Sequence, residues 1–121
     1  MRAIERYFIG CGIVFGLIGM LLGIHMGMGE DFSMSPLHAH INLFGWVTLV
    51  LFGLAYRAGI AKADGWATVH FWLALAAAVV FPAGIYFVIA RNQQGLVILG
   101  SLLVVASMLL FLINFIRARN A

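Results

Sequence analysis

Four stretches of the chain, 7–26, 37–56, 66–89 and 96–116, are apolar almost without interruption. A helix needs about 20 such residues to cross a hydrocarbon layer about 30 Å thick, and each stretch is long enough. The connections, 27–36 (GMGEDFSMSP), 57–65 (RAGIAKADG) and 90–95 (ARNQQG), carry the polar punctuation, and each is too short for a second domain. Hydrophobic residues make up 64% of the chain and charged residues 9%, against roughly 45–50% apolar residues in soluble domains. Too few polar groups remain to cover the surface of a soluble fold. The sequence therefore predicts an all-α membrane protein, a single domain over 1–121 built of four antiparallel transmembrane helices.

Charge placement predicts the orientation. Arg2, Arg6, Arg57, Lys62, Arg117 and Arg119 fall on one side of a chain that crosses four times, leaving Arg91 with Glu30 and Asp31 on the other. By the positive-inside rule both termini are cytoplasmic, and the expected location is the inner (cytoplasmic) membrane of a cell, as a multi-pass protein. Arg2 and Arg6 precede the first stretch as they would in a signal peptide. Its apolar run, however, exceeds the roughly 7–15 residues of such a signal, and no small-residue cleavage site follows. The net charge of +3 has this topological origin, and no nucleic-acid partner is expected. Cys11 stands alone in an apolar stretch, which excludes an internal disulfide framework and a CxxC redox or zinc site.

Packing signals are of two kinds. Gly12 and Gly16, then Gly19, Gly23 and Gly27, stand four apart, a pattern that lets another helix approach closely. That helix belongs either to the same chain or to a second copy. Pro82 removes a backbone donor inside the third stretch, so a kink is expected near 81–84.

Any chemistry must come from the four histidines, because no other ionisable residue lies well inside a span, and ionisable groups within a bilayer are costly. His25 closes the first stretch, and His38 and His40 open the second, near the outer face. His70 lies near the inner face, with about 19 residues, or nearly 30 Å at about 1.5 Å each, between it and the outer end of its helix. The two sets cannot share one metal within a chain. His70 can hydrogen-bond interfacial water or a carbonyl and needs no ligand. His25 is followed by Met26, Met28 and Met34, and imidazole with thioether suits copper, although methionine is also a common apolar filler.

Residues two apart on a helix point about 200° from each other, so His38 and His40 leave on opposite faces and serve different sites. The face of His38 continues through Asn42, Gly45, Leu49, Gly53 and Tyr56, and its two glycines leave room for something flat. The face of His40 continues through Phe44, Val47, Leu51 and Leu54 as an apolar wall.

The run HAHINLFGWVTLVLFGLAYR, 38–57, resembles the tenth transmembrane helix of subunit I of the heme-copper oxidases, most closely the branch that includes the nitric oxide reductases. His38, His40, Gly45, Trp46, Val47, Gly53 and Tyr56 match the outline HxHxxxxGWVxxxxxGxxY. The resemblance implies a heme, b-type by expectation, with His38 and His40 as iron ligands, each from its own face, and with Asn42, Gly45 and Trp46 beside it. The close likeness covers about one sixth of the chain. More loosely, four helices with histidines at the outer end of the second resemble one of the three four-helix arcs of that subunit. A homotrimer would rebuild the ring, with heme near the contacts between copies and His25 as a substitute ligand.

The departures limit what the resemblance implies. Nothing reproduces the adjacent histidines of the oxidase copper site, and Glu5, Glu30, Asp31 and Asp64 all lie in termini or loops, so no intramembrane acid forms a proton channel. Proton-pumping oxygen reduction is not expected. What remains is electron transfer, if the iron has two axial ligands, or binding of oxygen or nitric oxide, if one position is open. Two readings from other classes stay beside it. One is a structural or assembly subunit of a respiratory complex, without cofactor; the other is a small four-helix transporter, which lacks here the membrane-embedded acid such transporters use.

Overall fold

The computed structural model describes residues 3–119. Within these residues all regular structure is helical: α1 (Ile4–Gly29), α2 (Ser35–Arg57), α3 (Gly65–Arg91) and α4 (Gly95–Ala118), each long and apolar enough to cross a membrane. Every expected span is found, extended by one to three residues at each end. The reason lies in the caps. An apolar run marks the part of a helix that sits in hydrocarbon, but the helix itself continues until some group can take its orphaned backbone atoms. α1 ends on Glu30 and α3 on Asn92, both in the left-handed conformation with φ of 52° and 51°. α2 begins with Pro36 in its first turn, where a missing N–H costs nothing. α3 begins after Asp64, whose carboxylate accepts the Trp66 backbone N–H at 3.1 Å.

The helices associate as two hairpins. Along α1 and α2 the close approaches pair Gly12 with Val50, Gly16 with Trp46, Gly19 with Asn42 and Gly23 with His38, rising numbers on one helix meeting falling numbers on the other. A Cβ added at Gly19 would lie 2.6 Å from the Asn42 amide, so only glycine admits α2 at this distance. The glycine stripe is thus covered by α2 of the same chain. Gly27 has open space beside it and does not take part. In the second hairpin a Cβ on Gly84 would fall 2.4 Å from the Val97 Cα, and one on Gly100 would fall 2.5 Å from the Phe81 Cα. These contacts bracket Pro82, through which α3 runs on as one continuous helix.

The middle of α2, Ile41–Thr48, is a π-helix, with wider turns than the α-helical segments before and after it. The Thr48 hydroxyl supports it by donating to the Leu43 carbonyl, five residues back, at 2.8 Å. Residues four apart on an α-helix drift by about 40° per step, so His38, Asn42, Trp46 and Val50 could not all face one neighbour on an ordinary helix. Widening the turn removes most of that drift. On α1 the partner glycines step by four, three and four, which holds them on one face at ordinary pitch.

Where the hairpins meet, Phe8, Leu49, Phe52, Tyr56, Phe71, Ala74, Ala77 and Ala78 form the core. The outer surface is as apolar as the core: Leu21, Leu51, Trp72 and Leu102 are all more than half exposed. Such a surface suits lipid, where burying a leucine between helices gains little and close backbone packing does the joining.

Candidate functional site

At the end of the bundle opposite the Arg57–Asp64 loop, α2 carries His38 and His40. The His38 Nδ1 lies 2.9 Å from the Gly19 carbonyl oxygen. A carbonyl only accepts, so Nδ1 bears the proton and donates. Asn42 donates from Nδ2 to the His38 carbonyl at 2.9 Å, tying the side chains of this turn together. The His40 Nδ1 donates in the same way to the Pro36 carbonyl at 2.7 Å, and its ring stands edge-on to Phe81 at 5.1 Å between centroids. His38 therefore packs on α1 and His40 on α3. In both rings an Nδ1–H bound to carbonyl leaves the Nε2 lone pair for another partner, the way in which metal-ligating imidazoles are commonly oriented.

His25 is exposed near the end of α1. Across the turn Asp31 accepts the Ser33 backbone N–H at 3.0 Å, a bond that holds its carboxyl below the usual carboxylate range. Among the described residues no three His, Cys, Asp or Glu side chains converge where a metal ion would sit.

The other expected site residues lie along the α1–α2 contact. Asn42 meets Gly19 and Trp46 lies against Gly16. The room expected beside Gly45 and Gly53 is filled from within the chain: a Cβ at Gly45 would lie 2.7 Å from Phe15, and one at Gly53 would lie 2.7 Å from Ile9. No flat group fits against this face of a single chain, because the glycines that open α2 are matched by bulky residues on α1. Of the apolar wall expected below His40, Phe44 is buried, whereas Val47, Leu51 and Leu54 are exposed on the outside of the bundle. The wider turn of the π-helical stretch separates them from the face that His40 presents to α3.

At the basic end lies a constellation centred on His70, which is fully buried. Tyr56 Oη is 2.8 Å from its Nδ1 and Ser107 Oγ 3.3 Å from its Nε2. Tyr56 Oη also accepts from Asn114 Nδ2 at 2.9 Å, and Asn114 Oδ1 accepts from Arg117 at 3.0 Å. These bonds run in one direction. With Asn114 donating to it, the Tyr56 hydroxyl gives its single proton to His70 Nδ1, and the neutral imidazole donates from Nε2 to Ser107. Arg117 completes the series by pairing with both carboxylate oxygens of Asp64, the residue that caps α3. The guanidinium holds the Asp64 carboxyl below the usual carboxylate range.

Phe8, Phe52 and Phe111 surround the His70 ring with centroids at 5.2, 4.6 and 5.6 Å. Both ring nitrogens are used, so His70 has no lone pair to offer a ligand. Its partners are side chains of α2 and α4, in place of the water or carbonyl expected. Ser107 and Asn114, both fully buried, were not among the residues singled out from the sequence. The signal that points to them is a polar series on α4, Ser107, Asn114 and Arg117, at i, i+7 and i+10, which one face of a helix presents.

In comparison with known proteins, the chain matches no family model, no curated protein and no solved structure.

Proposed function

We propose that this protein is a heme-binding integral membrane protein that resembles one four-helix arc of subunit I of the heme-copper oxidases. Its helices are antiparallel, with both termini on the cytoplasmic side of the inner membrane, and its work is electron transfer or the binding of oxygen or nitric oxide. The observation that carries the reading is the state of two imidazoles: His38 and His40 each give Nδ1–H to a backbone carbonyl, at 2.9 and 2.7 Å, on different faces of one helix. Each keeps Nε2 for iron. A bound heme would supply a one-electron redox couple or, with one axial position open, a place for a diatomic gas.

The face beside Gly45 and Gly53 is closed by α1, so the heme belongs outside the four-helix bundle, between copies. This supports an oligomer, with a trimer as the form that rebuilds the oxidase ring. His25, exposed at the same end, is available as an alternative ligand or, with its neighbouring methionines, for copper.

The test is the absorption spectrum of protein purified in detergent after expression with ample heme. A stoichiometric Soret band is expected, and its absence overturns the reading. His38→Ala and His40→Ala should each abolish the band or turn a six-coordinate spectrum into a five-coordinate one, while His70→Ala should leave the spectrum of the folded fraction unchanged. The mass in mild detergent distinguishes a trimer from a monomer or dimer. The closed packing beside Gly45 and Gly53 also favours a second reading, a structural subunit of a respiratory complex without cofactor, and a colourless protein that copurifies with such a complex would establish it.

A further inference from the structure

We infer that the furrow between α1 and α3 at the basic end binds one acyl chain of an anionic phospholipid, with the phosphate held by Arg6. The inference rests on the reading of this end as lying in the cytoplasmic leaflet of a membrane.

Helices α1 and α3 meet near their beginnings, where Phe8 contacts Phe71 at 5.2 Å between ring centroids. Beside this contact runs a furrow made of two adjoining cavities of about 360 and 440 Å³, which share Tyr7, Cys11 and Leu75. Volumes of this order hold small organic ligands. The walls are mostly apolar, with Arg6 lining one cavity and Thr68 the other. From Arg6 the lining of α1 reaches as far as Phe15, nine helical steps, or about 14 Å. One leaflet of hydrocarbon is about 15 Å deep, so the furrow accommodates one chain from headgroup level to the middle of the membrane.

Two further observations favour a lipid. Arg6 is exposed, and among the described residues the one ion pair is that of Arg117 with Asp64, so the Arg6 guanidinium keeps its charge for an external anion. Basic side chains between helices at this depth attract anionic headgroups. The second observation is Gly10. A Cβ there would meet nothing within 4 Å, whereas the glycines of the same helix at 12, 16, 19 and 23 are all closed by α2. Gly10 is therefore not needed for helix contact, and its missing side chain keeps the furrow open.

The experiment is native mass spectrometry of the full chain in a neutral detergent, titrated with phosphatidylglycerol and, separately, with phosphatidylcholine. One phosphatidylglycerol per chain should be retained about five-fold more tightly than phosphatidylcholine. Arg6→Gln should remove that preference and leave phosphatidylcholine binding as it was. Gly10→Leu, whose Cβ would meet no protein atom within 4 Å and whose side chain would occupy the furrow, should abolish the binding of both lipids. Arg57→Gln, at the same end but off the furrow, should behave as the unsubstituted protein does. Equal retention of the two lipids, a preference that survives Arg6→Gln, or binding that survives Gly10→Leu overturns the inference. The readout is lipid mass, so a missing Soret band would refute the cofactor reading and leave this result untouched.

Discussion

Tyr56 Oη is shared by His70 and Asn114, at 2.8 and 2.9 Å. Tyr56→Phe keeps the ring and leaves two buried polar groups unpaired, so it should cost about 1–2 kcal/mol, read as a lower unfolding temperature in detergent. His70→Ala should cost more, about 2–4 kcal/mol, because it also opens a cavity among three phenylalanine rings. These losses should appear in stability and not in the spectrum, the reverse of the pattern expected for His38→Ala. The difference between the two histidine sites also governs how far each was legible. The partners of His38 and His40 are backbone carbonyls, available to any imidazole on a packed helix, so the spacing of the pair was enough to set them on separate faces. The partners of His70 lie 14 and 37 positions away in sequence, and no local pattern announces which distant hydroxyl will reach a buried ring.

Among the helices, the closest backbone approach is that of α3 to α4 at Gly84, where an added methyl would press on the Val97 main chain. Gly84→Ala should force the pair apart and cost about 1–3 kcal/mol. Gly27→Ala, on a helix stretch with open space beside it, should be neutral or stabilise by up to about 1 kcal/mol through helix propensity. Thermal unfolding of the two variants side by side measures the contrast. Existence and extent of the helices were legible because a membrane demands an apolar run of minimum length, and the caps added only a few residues. The π-helical pitch of Ile41–Thr48 was not legible: INLFGWVT is apolar on nearly every side, so it shows no period from which a turn width could be read. For the same reason a pitch of 3.6 residues per turn puts Asn42, Gly45 and Gly53 on one face, which α1 covers, but misplaces Val47, Leu51 and Leu54, which lie on the outside of the bundle.

Across the whole molecule, the Asp64–Arg117 pair ties the loop between the two hairpins to the end of α4, next to the chain of bonds that leads to His70. The Asp64 carboxyl ionises more readily in the folded protein than its ordinary value, near 3.9, would allow. Its contribution is therefore present above about pH 4 and is lost as pH falls through the lowered folded value. Unfolding temperature followed from pH 7 to pH 2 should decline on this acid limb, and Asp64→Asn should be less stable at neutral pH with a shallower decline. That both hairpins would close on themselves was only half legible, since a glycine stripe says that a helix approaches without saying whose. The wide turn of α2 has a consequence for the chain as a reading frame. Removing one lipid-facing residue from Ile41–Thr48 lets the helix return to ordinary pitch with Ser35–His40 facing nearly as before against Leu49–Arg57, because a wide turn takes in an extra residue for about the same rotation. Apolar substitutions at the lipid-facing positions of this stretch should be tolerated, and a single-codon deletion there should leave His38 against Gly23.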